Sequence, residues 1–132
     1  MALIRKEFIV QLGPAEVWDA FRDVGAIHTR LASGFVVDTR LEGDSRHVTF
    51  AGGNTVKELI VDVDNEARRL VYSVIGGRVT HDNATVQVFA DGSGSRIVWQ
   101  RDLLPRELAP VFSASMDQGV AAMKRTLDRA VS

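Results

Sequence analysis

The sequence predicts an α+β fold in which a curved antiparallel sheet of about seven strands wraps around a long C-terminal helix. Three observations predict it. One strand candidate and two short helices open the chain, turn signals then recur about every ten residues, and a long apolar stripe follows Pro105. A sheet of this size cannot close tightly on itself and also bury that stripe, so we expect it to curl around the helix.

The composition is that of an ordinary soluble domain. A chain of 132 residues with 45% apolar and 25% charged side chains predicts one domain over residues 1–132. With 16 basic and 17 acidic residues the net charge is -1, which lacks the basic excess of a nucleic-acid binder. The absence of cysteine excludes disulfides, thiolate zinc sites and a cysteine nucleophile.

The N-terminal stretch "MALIRKEFIV" lacks the long apolar core and small-residue cleavage site of a signal peptide. No segment approaches the roughly 20 apolar residues that span a bilayer. We therefore expect a cytoplasmic protein without a membrane span. The same features are compatible with a homodimer.

The first strand is predicted over residues 3–12 and is stopped by Gly13-Pro14. The segment "PAEVWDAFRD" places apolar residues at helical spacing, and "GAIHTRL" predicts a second short helix. The following strands are "FVVDTRLEG", "RHVTFAG", "TVKELIVDVD" and "RRLVYSVIG", and a final strand pair surrounds the turn at residues 91–95.

Alternation divides the side chains of the last three strands between two faces, one of which meets the helix. The residues that share one face are Leu70, Tyr72 and Val74, then Ala84, Val86 and Val88, and finally Ile97, Trp99 and Arg101. Period two carries Asp82 to the same face as Ala84, at the end of its strand.

The C-terminal helix is predicted from Arg106 onward. Its apolar stripe consists of Leu108, Phe112, Met116, Val120, Met123 and Leu127. Gly119 lies inside this stripe, although glycine costs a helix interior about 1 kcal/mol. Close packing against a strand, room for a ligand, or a merely tolerated glycine would each explain it.

Three segments together resemble the polyketide cyclase/START-like superfamily (SRPBCC), which has a helix-grip fold. They are "GPAEVWDAFRDVGAIH", "TVKELIVDVDNEARRLVYSV" and "ATVQVFADGSGSRIVWQRDLLP", and the resemblance covers nearly the whole chain. It implies a deep cavity between sheet and helix that binds hydrophobic or aromatic molecules such as lipids, polyketides, sterols or hormones. The superfamily includes enzymes, lipid-transport proteins and receptors, so the fold does not select one activity.

One position departs from the family pattern. Relatives commonly have Trp and then His-Pro after the second short helix, where this chain has Arg30, Leu31 and Ala32. Arginine at that position would make the cavity mouth cationic and favour an anionic or carbonyl-bearing ligand.

Glu58 is the first candidate for chemistry. The resemblance implies that its side chain faces inward, where an apolar cavity would raise the pKa of the carboxyl and suit it to acid–base catalysis. The alternative is an outward Glu58 paired with an arginine on a neighbouring strand. His28, near the expected cavity entrance, is a second candidate acid or base.

Arg101 is expected either to pair with Glu58 or to bind a ligand carboxylate. The hydroxyl of Tyr72 needs a partner, for which Asp82, Glu58 or a ligand are candidates. The three histidines lie far apart without metal-ligand spacing, so we expect neither a metal site nor a cofactor.

These observations predict a protein that binds a hydrophobic or aromatic small molecule, as a polyketide cyclase/dehydrase-like or lipid-carrier-like protein. Any catalysis would be cofactor-free cyclase or dehydratase chemistry, and the alternative is a protein-interaction module with a filled core. A cavity of about 300 Å³ or more would discriminate between them. The expected ligand contacts are Arg30, Phe50, Tyr72, Asp82, Val86, Trp99, Arg101, Phe112, Met116 and Val120.

Overall fold

A computed structural model describes residues 2–131, in which one sheet curves around the C-terminal helix. The strands are β1 (Ala2–Val10), β2 (Val36–Glu42), β3 (Ser45–Phe50), β4 (Thr55–Asp64), β5 (Arg69–Ile75), β6 (His81–Asp91) and β7 (Gly94–Leu104). The helices are α1 (Pro14–Arg22) and α2 (Ala109–Arg129), with a π-helical turn at Ile27–Leu31 and a 3-10 turn at Arg106–Leu108.

The seven strands form an antiparallel sheet in the order β1-β7-β6-β5-β4-β3-β2. Strands β2 to β7 are therefore a meander of successive neighbours, as the recurring turn signals predict. β1 pairs with β7 at one edge of the sheet, and β2 lies at the other edge. Helix α1 and the π-helical turn connect these two edges, and this confirms the helix-grip α+β fold.

Strand register brings the predicted inner residues into rows across the sheet. Tyr72 pairs with Ala84, and Ala84 pairs in turn with Arg101. The alternation in these strands is confirmed, because Leu70, Val86 and Ile97 are buried against the helices.

Helix α2 covers the concave face with the predicted stripe. Met116, Met123 and Leu127 are buried, and Phe112 and Val120 are partly buried. The helix begins at Ala109 rather than Arg106, because a 3-10 turn precedes it. Pro110 then lies in the first turn of the α-helix, where a missing N–H interrupts no helical hydrogen bond.

Two other boundaries differ from the sequence prediction. β1 ends at Val10, since the next amide, that of Gln11, donates to Asp128 Oδ1 of α2 at 2.9 Å instead of continuing the strand. The second short helix is a π-helical turn, closed by a hydrogen bond from the Ala32 N–H to the Ile27 carbonyl at 2.8 Å. No helix within residues 2–131 is both long enough and apolar enough to cross a membrane.

Candidate functional site

A cavity of about 270 Å³ lies between the inner face of the sheet and α2. Its walls are mostly apolar side chains from β3 to β7, α2 and the π-helical turn. The volume is slightly below the roughly 300 Å³ at which typical ligand pockets begin, but well above the ~150 Å³ cavity that holds benzene. The cavity therefore has room for about two rings.

Three charged side chains line this cavity, namely Arg46, Glu58 and Arg101. Arg46 Nε donates a hydrogen bond to Glu58 Oε1 at 2.7 Å. A second Arg46 nitrogen donates to the Val24 carbonyl at 3.3 Å. Both partners of the Arg46–Glu58 pair are nearly inaccessible to solvent, with 5% and 7% of their surface exposed. The pair thus places a carboxylate and a guanidinium at the base of an apolar cavity.

A second ion pair, Arg101–Asp82, lies near the same cavity. We call the polar cluster formed by the two ion pairs and Tyr72 the floor of the cavity. Arg101 Nε donates to Asp82 Oδ1 at 2.8 Å, and the Val74 amide donates to Asp82 Oδ2 at 2.7 Å. Burial raises the pKa of Asp82 above its ordinary value, and the charge of Arg101 and the Val74 hydrogen bond oppose that rise. The carboxylate is therefore held behind Arg101 by one hydrogen bond to each of its two oxygens.

Tyr72 lies between these two pairs. It belongs to β5, whereas Arg46 comes from β3 and Arg101 from β7, on either side of that strand. The two guanidinium carbons are 5.1 and 5.4 Å from the centroid of the Tyr72 ring, within cation–π range. The Tyr72 ring is therefore contacted by one arginine from each side of its strand.

The hydroxyl of Tyr72 accepts a hydrogen bond from Trp99 Nε1 at 2.8 Å. Burial raises the pKa of Tyr72, so the phenol stays protonated at neutral pH. Within residues 2–131 no hydrogen bond uses the hydroxyl hydrogen. Tyr72 lines the cavity, so this hydrogen is a donor available to a ligand.

Most of the predicted contact residues do line the cavity. Glu58 faces inward and is also paired with an arginine on a neighbouring strand, which combines the two alternatives that the sequence left open. The roles of Glu58 and of the other predicted residues in binding or catalysis stay predictions. The predicted residues found in the wall, besides Glu58, are Phe50, Tyr72, Val86, Trp99, Arg101, Phe112 and Met116.

Four predicted site residues lie outside the cavity wall. Arg30 pairs with Asp19 at 2.6 Å and Asp23 at 2.8 Å on the surface, so the expected cationic mouth is wrong. His28 Nδ1 lies 3.1 Å from the hydroxyl oxygen of Thr39, and the side chain does not line the cavity.

The other two are behind the wall. Asp82 is buried against Arg101, and Val120 packs into the core beside the cavity. The expected Glu58–Arg101 pair is also wrong, because register places Glu58 opposite Arg46, and Arg101 lies three strands away on β7.

Arg46 is the residue that sequence reasoning missed. Period two along "RHVTF" places Arg46, Val48 and Phe50 on one face, and the two apolar members could have identified that face as the inner one. The structure shows all three lining the cavity. His47, the alternate residue, lies partly exposed near Glu42.

Gly119 sets the distance between α2 and the sheet. A Cβ at this position would lie 3.1 Å from Trp99 Cζ3 and 3.2 Å from Trp99 Cη2, which is tighter than ordinary contact. Close packing against β7 is therefore the physical reason for the glycine. The position also lines the cavity, so a side chain there would enter the space that a ligand needs.

The curved sheet, the long covering helix and the apolar cavity between them define a START-like helix-grip protein. A family model described as "Polyketide cyclase / dehydrase and lipid transport" matches residues 1–131, and the chain belongs to this family. A comparison with curated proteins found no match.

Solved structures with the same fold include XoxI from Bacillus cereus, with 21% identity, a TM-score of 0.84 and coverage of 96% of both chains. Norcoclaurine synthase from Thalictrum flavum has 23% identity and a TM-score of 0.71, over 98% of this chain and 86% of that one. The di-domain ARO/CYC BexL has 11% identity and a TM-score of 0.81, over 97% of this chain and 47% of that one. At these identities the likeness shows the fold alone.

The Asp82–Arg101 pair gives a stability prediction. Asp82→Ala leaves a buried guanidinium without its carboxylate and should lower the free energy of unfolding by about 3–5 kcal/mol. The double variant Asp82→Leu/Arg101→Met removes both charges and should recover most of that loss. Urea denaturation of the wild type and of these two variants measures the free energies of unfolding.

Glu7→Ala is the matched control, because it removes a carboxylate that pairs with Arg5 on the exposed surface. It should leave the denaturation midpoint nearly unchanged. A double variant as unstable as Asp82→Ala alone would contradict the interpretation of Asp82 and Arg101 as a self-contained pair.

Proposed function

We propose that this protein binds a hydrophobic or aromatic small molecule in the cavity between the sheet and α2. The observation that carries the proposal is an apolar cavity of about 270 Å³ with a buried polar cluster on its floor. Ligand sites typically combine apolar walls with a few placed polar groups. The description of the family, which includes cyclases, dehydrases and lipid transport, supports the same class of ligand.

The cavity size favours a cyclase- or dehydrase-like ligand over a lipid. A volume of this size accommodates about two rings, whereas a long acyl chain requires a longer cavity. Norcoclaurine synthase, which has the same fold, has been solved in complex with dopamine and hydroxybenzaldehyde, both single-ring molecules. We also propose a cytoplasmic location, since a chain without cysteine has no disulfides that require an oxidising compartment.

The open interior argues against the alternative of a filled-core interaction module. Core side chains of such a module would occupy the space between the concave face of the sheet and α2, where the cavity lies. Val111 lines the cavity yet is 68% exposed, so this part of the wall meets solvent. A ligand therefore has a route into the cavity beside the N-terminal half of α2.

Two tryptophans provide a test of binding in the cavity. Trp99 lines the cavity, whereas the indole of Trp18 donates to Asn65 at 3.0 Å outside it. In a ¹H–¹⁵N NMR titration with 2-acetonaphthone, we expect the Trp99 indole signal to shift and the Trp18 indole signal to remain nearly fixed. The neutral two-ring ketone matches the size of the cavity.

Variants of α2 make this test specific. Gly119→Leu places a side chain against Trp99 and should weaken binding by about tenfold or more. Ala121→Leu, on the exposed face of the same helix, is the control and should bind like the wild type. Equal shifts of both indole signals, or unchanged binding by Gly119→Leu, would contradict a ligand site in this cavity.

Proton transfer at a carbonyl compound is a second candidate function. One observation favours it: Glu58 and Tyr72 line the same cavity, and the hydroxyl of Tyr72, which accepts from Trp99, still has its own hydrogen to donate. Glu58 would take a proton from the carbon beside the carbonyl, and the electron pair would move onto the carbonyl oxygen. Tyr72 and Arg101 would stabilise the developing negative charge, as donors in an oxyanion hole do. Returning the proton to carbon completes the cycle.

Deuterium exchange measures this step without a known substrate. In D₂O the wild type should accelerate exchange at the methyl group of 2-acetonaphthone, and Glu58→Gln should reduce the protein-dependent rate by about 100-fold or more. Tyr72→Phe retains the base and should slow exchange less. Exchange by Glu58→Gln at the wild-type rate would exclude Glu58 as the base.

A further inference from the structure

The charges around the cavity floor are balanced. Arg46 faces the carboxylate of Glu58 at 2.7 Å, and Arg101 faces that of Asp82 at 2.8 Å. The cavity wall contains no charged side chain beyond Arg46, Glu58 and Arg101 within residues 2–131. The arginine expected to add positive charge at the mouth, Arg30, is already neutralised by two aspartates on the surface. The site therefore has no uncompensated cation.

The hydrogen-bond donors of the floor are nevertheless only partly used. Arg101 bonds Asp82 through Nε, and within the described chain no residue other than Asp82 accepts a hydrogen bond from its guanidinium. Arg101 lines the cavity, and its guanidinium carbon lies 5.4 Å from the centroid of the Tyr72 ring. The hydroxyl hydrogen of Tyr72 is a donor that no hydrogen bond uses within residues 2–131.

We propose that the cavity selects uncharged ring compounds that carry an acceptor oxygen, and that it rejects carboxylates and phosphates of the same shape. This inference rests on the proposed function and names the ligand class for that site. An acceptor oxygen satisfies donors that an oxygen-free ligand leaves unpaired in an apolar cavity. An anion loses its hydration, finds both guanidinium groups already paired, and meets the charge of Glu58.

A consequence is that ionised fatty acids and phospholipids are not ligands of this site. Their head groups carry the charge that the balanced floor does not compensate. The same argument predicts how the selectivity could be reversed. Removing the charge of Glu58 while retaining its shape leaves Arg46 as a free cation in the cavity wall.

Three probes with the same naphthalene ring test this inference by isothermal titration calorimetry at neutral pH. 2-Acetonaphthone is neutral with an acceptor oxygen, 2-ethylnaphthalene has no polar atom, and 2-naphthoate is an anion. We expect 2-acetonaphthone to bind about tenfold more tightly than 2-ethylnaphthalene. 2-Naphthoate should bind most weakly of the three.

Two variants of the Arg46–Glu58 pair test whether charge balance, rather than the shape of the cavity, determines the affinity for 2-naphthoate. Glu58→Gln should raise the affinity for 2-naphthoate about tenfold or more, because Arg46 then pairs with the ligand. The double variant Arg46→Met/Glu58→Met restores neutrality and should bind 2-naphthoate as weakly as the wild type. Binding of 2-ethylnaphthalene by each variant reports that its cavity is intact.

The outcomes distinguish this inference from the proposed function. Failure of all three probes to bind the wild type would overturn the proposed function and the inference with it. Binding of 2-ethylnaphthalene, with 2-naphthoate equal to or tighter than 2-acetonaphthone, would overturn the ligand class while the proposed function stands. An intact Glu58→Gln protein without increased affinity for 2-naphthoate would likewise overturn the charge-balance argument.

Discussion

The floor of the cavity depends on Tyr72, whose ring is held between two buried arginine–carboxylate pairs. Burying four charges is expensive, and each pair offsets its desolvation only because its partners are in direct contact. The sheet supplies that contact through register: neighbouring strands place Arg46 opposite Glu58. A polar cluster built this way is held by the backbone rather than by loops, and this keeps its donors in fixed positions beneath the ligand space.

The rest of the site follows from how α2 meets this floor. Gly119 allows the helix to approach Trp99, and the Trp99 indole in turn donates to the Tyr72 hydroxyl. Because the Tyr72 oxygen accepts from Trp99, its own hydroxyl hydrogen cannot point at the indole N–H. Tyr72 lines the cavity, so the cavity is the space toward which this hydrogen can point. In a mostly apolar interior, hydrogen bonds from such fixed donors are electrostatically stronger than they are in water. One glycine on the helix and one tryptophan on β7 thus connect the packing of α2 to the chemistry of the floor.

Much of the fold could be predicted from the sequence, because turn residues and side-chain alternation are local signals. Period two places Trp99 and Arg101 on one face of β7, although alternation alone does not say that this face is the inner one. The partner of Glu58 was not predicted, because Arg46 was not recognised as an inward residue; Glu58 pairs with it across the β3–β4 hairpin rather than with Arg101 on β7. The surroundings of Arg30 depend on how the π-helical turn packs beside α1, which brings Asp19 and Asp23 to its guanidinium and which no local pattern indicates.

The state of Tyr72 tests the central claim most directly, and the chain contains a single tyrosine. Its ionisation can therefore be followed by ultraviolet absorbance without assignment. Because burial raises the pKa of Tyr72, more than half of its phenol should be protonated at pH 10, where a free tyrosine is half ionised, and the midpoint of its ionisation should lie at higher pH. Reversible ionisation of the folded protein with a midpoint at or below pH 10 would contradict a buried, protonated donor on the cavity floor.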